Sequence, residues 1–250
     1  MRLTQQLLRL SAVRKLVGKV RLRWFVHVRR FWKVADSEAA FEKTVSHNLK
    51  QLKSFSNKRM ELLAAPLAVI ETLDEGSSVL VVGPRNENDL FILASHGFTF
   101  GKLQALDLIS YSPKITPGDI HAAPFDDSSF DAVVCGWTLS YSSEPAKVAG
   151  ELVRLVKPGG IVAIAVEYSD LTHAEQKQLS GYEIASAGFE RVNSVAQFRA
   201  LFGDSVEHVY FDHDAPKRLS HRPDKLVARP SSVAMIFSVA KPPSNGSATP

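Results

Sequence analysis

Gly83 closes the apolar run Val79-Leu80-Val81-Val82 and opens a helical stretch, which makes it a tight turn from a strand into a helix. Backbone amides at the start of such a helix favour polar or anionic ligand groups. A second apolar run ends at Asp107, 24 residues after Gly83. A carboxylate at that offset can accept hydrogen bonds from both hydroxyls of a ribose, as adenosine and dinucleotide sites require. A helix cap or a solvated strand end is the other reading of such an acid. His121 has a neutral form accessible near pH 7 and could take a proton, and Glu167 with Tyr168 ends a further apolar run. Asp212, His213, Asp214 and His221 lie close in sequence, but their spacing fits no zinc or iron pattern, so no metal is expected.

A third element is more specific. The segment Gly118-Asp119-Ile120-His121-Ala122-Ala123-Pro124-Phe125-Asp126-Asp127-Ser128-Ser129-Phe130-Asp131-Ala132-Val133-Val134-Cys135 resembles the class I S-adenosylmethionine-dependent methyltransferases, methyltransferase type 11-like. Their corresponding stretch reads approximately G-D-x-x-x-L-P-F-x-D-x-S-F-D-x-V. Glu151-Leu152-Val153-Arg154-Leu155-Val156-Lys157-Pro158-Gly159-Gly160 resembles the helix and turn before that family's fifth strand. The resemblance covers about residues 77 to 168. It implies a Rossmann-like α/β fold and S-adenosylmethionine as cofactor. Gly83 and its loop, with Pro84 and Arg85, would then pass beneath the methionine part, and Asp107 with Leu108 would meet the ribose. Asp119 would face the adenine amino group with Ile120 against the ring, while Gly136 and Trp137 would border the methyl group and acceptor.

The first motif departs from the family pattern. Val81 holds the position where the family has an acid, and Pro84-Arg85-Asn86-Glu87 stands where further glycines are usual. Side chains there crowd a backbone that normally approaches the ligand closely. Two readings are open: Arg85 or Glu87 contacts the methionine carboxylate or amine, or the domain keeps the fold without the cofactor. Methyl transfer needs the acceptor aligned with the methyl group, and a base only if the acceptor must lose a proton. His121 and Glu167 are weak candidates for that base, His121 being expected at the adenine edge; no catalytic residue is assigned.

The elements that position these residues alternate in the manner of a parallel sheet with crossover helices. Strands are expected at Val79 to Val82, Leu103 to Asp107, Asp131 to Gly136 and Ile161 to Glu167, with a short one ending near Asp119. Helices are expected at Glu87 to Ser95, Pro145 to Val156, about Leu171 to Leu179, and Val195 to Phe202. Strands at Val206 to Phe211 and Val233 to Ala240 would pair as an antiparallel C-terminal edge. Before the sheet, Asp36 and Ser37 can cap a helix from about Glu38 to Phe55, and Asn57 one through Leu73 kinked at Pro66. The sheet would carry helices on both faces.

The net charge of +4 hides an asymmetry: residues 1 to 35 hold ten Lys or Arg and no acid, leaving 20 basic and 26 acidic residues elsewhere. Leu3, Leu7, Leu10, Val13, Val17, Val20, Trp24, Val28 and Phe31 recur at helical spacing with most basic residues opposite, Arg14 and Arg21 excepted. This basic amphipathic helix fits an anionic membrane surface, or packs on the body with its charged face in solvent. Residues 36 to 240 would form the methyltransferase-like domain with a helical N-terminal cover, and residues 241 to 250 a disordered tail. No run approaches the roughly 18 apolar residues of a membrane span, and the single cysteine, Cys135, excludes an internal disulfide. A cytoplasmic location, peripheral to a membrane, is expected; the acid-free start would suit organellar targeting in a eukaryote.

The resemblance implies methyl transfer from S-adenosylmethionine to a small molecule or glycoconjugate. A non-catalytic binding or scaffolding domain is the alternative. Nucleic-acid methylation ranks third, since the body is net acidic and contains no base-reading module.

Overall fold

Strands buried on both faces of a sheet need continuous apolar runs, and all four residues of Val79–Val82 are buried. The computed structural model describes residues 3–35, 49, 52–55, 58–84, 86–168, 192–214 and 231–240. Its strands are Lys33–Val34 (β1), Val79–Val82 (β2), Leu103–Asp107 (β3), Ile109–Ser110 (β4), Ile115–Pro117 (β5), Phe130–Gly136 (β6), Val156–Tyr168 (β7), Val206–His213 (β8) and Ser231–Val239 (β9). Seven form one sheet in the order β5-β3-β2-β6-β7-β9-β8. β5, β3, β2, β6 and β7 pair in parallel, and β9 pairs antiparallel with both β7 and β8.

The helices are Leu3–Arg9 (α1), Ser11–Arg23 (α2), Glu61–Leu67 (α3), Asn88–Ser95 (α4), Pro145–Leu155 (α5) and Val195–Phe202 (α6). Alternate residues of each strand feed two cores. Val79, Val81, Leu103, Ala105 and Val134 pack with α3 and α4; Leu80, Val82, Leu106, Val133 and Cys135 pack with α5 and α6. The expected strands and helices are found within a few residues of their anticipated ends, with β7 starting earlier because the register with β6 shifts between Phe130 and Ala132. Three helix expectations change: the N-terminal helix is broken at Leu10, whose backbone is extended, into α1 and α2, and continues past Arg23 as a π-helical turn, Trp24–Val28. α3 ends at Leu67 because Pro66 removes one ladder donor and the chain tightens through Val69 N to Pro66 O (3.2 Å) and Ile70 N to Leu67 O (3.3 Å). Leu52 to Phe55 form no helix; most of the helix expected from Glu38, that from Leu171, and the tail lie outside the described residues.

β3 and β5 are parallel neighbours joined by only the residues 108–114, none of them helical. A full parallel crossover takes a dozen or more residues. This connection suffices because it retraces only to the level of Ala105, which pairs with Ile115. The layer a crossover helix would fill is taken by the N-terminal segment. Leu8, Leu22, Phe25 and Val26 pack against the core under α4, and β1 pairs with β4 through Lys33↔Ser110 and Val34↔Ile109.

The docking face of α2 is not the apolar stripe marked out by the sequence. Arg14, one of the two exceptions, pairs with Glu61 (3.2 Å), and Arg21, the other, pairs with Glu87 (2.6 Å). Between them, Gly18 is buried so closely that a Cβ there would lie 2.5 Å from Phe55 Cε1. Gly18→Leu should therefore loosen the dock and cost about 1–3 kcal/mol, the usual range for overpacking, read as a lowered midpoint in urea unfolding.

Candidate cofactor and acceptor site

In an open α/β sheet a ligand sits beyond the carboxyl ends of the strands where the winding reverses. Here the chain runs outward from β2 to β3 and β5, then crosses back to β6, so the reversal lies between β2 and β6. Gly83 follows β2 with φ +64°, and a Cβ there would lie 2.0 Å from Thr138 Oγ1. The Thr138 hydroxyl donates to Val82 O (3.1 Å), and Gly83 N donates to Leu106 O (2.8 Å). Glycine is thus required by both backbone hand and space, and the turn is held from β3 on one side and from the residue after Trp137 on the other.

The rest of that loop is fixed by side chains where the family has glycines. Glu87 is fully buried. Its carboxylate receives Arg21 Nε (2.6 Å), Arg21 Nη2 (2.9 Å) and the Ser112 hydroxyl, and its own N–H donates to the Tyr111 phenol oxygen (2.7 Å). Asn86 donates to Leu52 O and Ser54 O, each 3.0 Å, and accepts from Asn88 N (3.0 Å). Burial and the neighbouring Glu87 raise the Tyr111 pKa well above its ordinary range, and the hydrogen bond to Glu87 raises that of Arg21. Of the two residues open for the methionine end, Arg85 or Glu87, the second has its carboxylate turned back onto α2. Pro84 is buried beside it, and Arg85 lies outside the described residues.

Asp107, Leu108, Asp119, Ile120, Trp137 and Glu167 lie at or just beyond the carboxyl ends of β3, β5, β6 and β7. Asp107 is buried at the end of β3 and accepts from Ile109 N (3.2 Å). Leu108 O accepts from Ala35 N (2.8 Å), so the N-terminal segment walls this corner. Asp119 follows β5, whose Pro117 is in register with Asp107. Two acceptor carboxylates at adjoining strand ends suit the hydroxyl donors of a ribose and the amino donor of an adenine, so the adenosine half of S-adenosylmethionine fits this edge. Ile120 is buried in the core under α5.

His121 is committed. Asp119 Oδ1 accepts from both its backbone N–H (2.9 Å) and its Nδ1 (2.6 Å), and its Nε2 is hydrogen-bonded with Ser142 Oγ (2.7 Å). The hydrogen bond from His121 holds the Asp119 carboxyl below its ordinary value. Glu167 is likewise engaged, ion-paired with Arg59. The Arg59 guanidinium lies 5.0 Å from the centre of the Trp137 ring, whose indole N–H donates to Ser232 Oγ (3.3 Å). Trp137 has φ +65° and is buried, its N–H donating to Ala165 O (2.7 Å). Arg59, Thr138 and Ser142 were missed from sequence, since each gains its role from a partner distant in the chain. Burial pushes the Cys135 thiol up to about 12, in keeping with an inert strand residue. Among the described residues no cluster of metal-binding side chains is present.

Much of the matched segment clamps the fold rather than a ligand. Arg154 donates to Phe125 O (2.9 Å) and Ala123 O (3.1 Å) and pairs with Asp127 (2.6 Å) and Glu151 (2.8 Å). Asp131 accepts from Ser78 N (2.8 Å) and Lys157 Nζ (2.7 Å), tying β6 to the start of β2.

The mainly parallel sheet, its switch point at Gly83 and its antiparallel last strand define the fold of the class I S-adenosylmethionine-dependent methyltransferases. Residues 101–164 match the family model described as a methyltransferase domain. A Clavibacter sepedonicus protein named demethylmenaquinone methyltransferase is 29% identical over 135 residues, 54% of this chain and 46% of that one. One of the same name from Renibacterium salmoninarum is 46% identical over 55 residues, 22% of this chain and 23% of that one. The matches thus span less than half the length of these relatives. Among solved structures, a candidate methyltransferase from Haloferax volcanii, in complex with the Trm112 methyltransferase activator, superposes with a TM-score of 0.53 at 20% identity, covering 81% of this chain and 96% of that one.

Arg21→Ala should cost about 3–5 kcal/mol by leaving a buried carboxylate without its cation, whereas the double change Arg21→Met with Glu87→Met should recover most of it; urea unfolding measures both. For Asp119, the depressed folded value means that its ionised form stabilises the fold above the ordinary value of 3.8, and that this gain is lost as the pH falls through the folded value. His121→Ala should make that acid decline shallower, as followed by unfolding across the acid range.

Proposed function

We propose that the protein transfers the methyl group of S-adenosylmethionine to a small-molecule or glycoconjugate acceptor, in the cytoplasm and at a membrane surface. One observation carries the reading: Asp107 and Asp119 stand at adjoining strand ends beside the Gly83 turn, at the switch point of a methyltransferase fold. When bound there, S-adenosylmethionine supplies a methyl group on an electron-poor sulfur. The chain's own residues act by placement. Asp107 and Asp119 hold the adenosine half, Thr138 and Gly83 set the floor between β2 and β6, and Trp137 under Arg59 borders the acceptor side. With His121 bound to Ser142 and Glu167 to Arg59, alignment of the acceptor rather than proton removal is the contribution, and alignment alone can lower a barrier greatly. The relatives' name makes demethylmenaquinone the first acceptor to assay.

A second reading, a non-catalytic domain with this fold, draws on Glu87, whose side chain stands where the family has a glycine, and on Thr138 packed against Gly83. Titration calorimetry separates the two. S-adenosylmethionine and its demethylated product should both bind, and Asp107→Ala should weaken them roughly tenfold or more, about 1.4 kcal/mol. Absence of binding by either at millimolar concentration would leave the scaffold reading standing.

A further inference from the structure

The geometry points to the outer face of α1 and α2 as a docking surface for anionic lipid. This deepens the membrane part of the reading above and is independent of methyl transfer.

α2 is fixed in rotation by its inner face. Arg14 is tied to Glu61, Gly18 lies against Phe55, Arg21 is held by Glu87, and Leu22 is packed on the core. Leu16 and Val20 of α2, with Trp24 and Val28 of the π-helical turn Trp24–Val28 that continues it, follow one another at four-residue steps and are 52% to 64% exposed, whereas Gly18 is buried. Leu7 of α1, and Leu10 at the break before α2, extend the exposed apolar surface. A helix with free rotation would turn these residues inward; this one cannot without breaking two ion pairs, one of them on a fully buried carboxylate.

An apolar patch of this kind on a soluble face marks an interaction site, and its surroundings select the partner. Lys19 stands three residues from Leu16, and Arg23 three from Val20, both exposed, with Arg29 and Arg30 exposed beyond the helix end. No acid occurs in the whole segment from residue 1 to 35. Apolar side chains flanked by cations and accompanied by an exposed tryptophan match a bilayer interface, where acyl chains, anionic headgroups and the amphipathic indole are each satisfied at their own depth. A protein partner would require acids to meet these cations, and a second copy of this face would bring like charges together. No helix among the described residues is long and apolar enough to cross a membrane, so the contact lies in the interface.

The test uses the full chain and sedimentation with phosphatidylcholine vesicles, with and without phosphatidylglycerol. Binding should require phosphatidylglycerol, fall as salt rises, and shift Trp24 emission to the blue. The variant Val20→Gln, Trp24→Gln, Val28→Gln should lose roughly tenfold or more of the binding with little change in the thermal midpoint, because more than half of each of these residues is exposed; Lys19→Gln with Arg23→Gln should reduce it through charge alone. Absence of vesicle binding would overturn both this inference and the membrane reading. Vesicle binding that survives the triple variant would overturn the inference alone. Two further results would each overturn it: a dimer by light scattering that the triple variant dissociates, assigning the face to a second copy, or a salt-sensitive shift of duplex DNA or RNA in place of vesicle binding.

Discussion

A carboxylate with no exposure at all has to be neutralised within the protein, because burying it uncompensated costs several kcal/mol. Glu87 is that group, and its donors come from far apart: Arg21 lies 66 residues before it and Ser112 25 after. The loop after Gly83 can therefore reach its final form only when α2 and the connection after β3 are both in place. A segment that looks like an appendage in the sequence is thereby made part of the ligand-binding framework. The same constraint explains why α2 shows its charged residues on two sides: Arg21 answers the buried Glu87 and Arg14 the half-exposed Glu61, and the others face outward.

The two ends of the candidate cofactor site are built on different principles. At the adenosine end the donors and acceptors are side chains on strand termini, Asp107 and Asp119, set by the sheet itself. At the methionine end the backbone is set by a buried polar network behind it, with Asn86 and Glu87 both enclosed. A glycine-rich turn leaves a loop free to close on its ligand; a loop held by Asn86 and Glu87 arrives already shaped. Rigidity of this kind lowers the ordering cost of binding, and it demands that the loop be correct before the ligand comes.

The sheet and the adenosine end were legible in the sequence for one physical reason. Val79–Val82, Leu103–Asp107 and the segment from Gly118 are local patterns, apolar runs ended by a glycine or an acid, and parallel strands buried on both faces leave such runs plainly visible. Asp107 and Asp119 stood out because they close those runs. Partnerships across long separations did not stand out. Glu87 stayed open beside Arg85 as a contact for the methionine end, and Glu167 and His121 as weak candidates for a base, because nothing local signals Arg21, Arg59 or Ser142. The departure of Arg14 and Arg21 from the amphipathic pattern was the one visible trace of those partnerships: a cation on the wrong side of a helix announces an acid buried opposite. The apolar stripe left two partners open, a membrane surface and the core; apolar periodicity normally marks the face that packs on the core, and here the close approach at Gly18 and two ion pairs outweigh it.

The borrowed layer also sets an order of events during synthesis. In a sheet whose crossover helix lies between its strands, each strand is followed at once by its own cover. Here the cover is made first and the surface it covers last: Arg21 waits for Glu87, and Gln5 for the carbonyl of Gly97, 92 residues on. At roughly 5–20 residues per second of chain growth, the two N-terminal helices spend several seconds outside the ribosome with both of their faces bare. A nascent chain in that condition presents apolar and basic side chains before the core that will cover one face of them has been made.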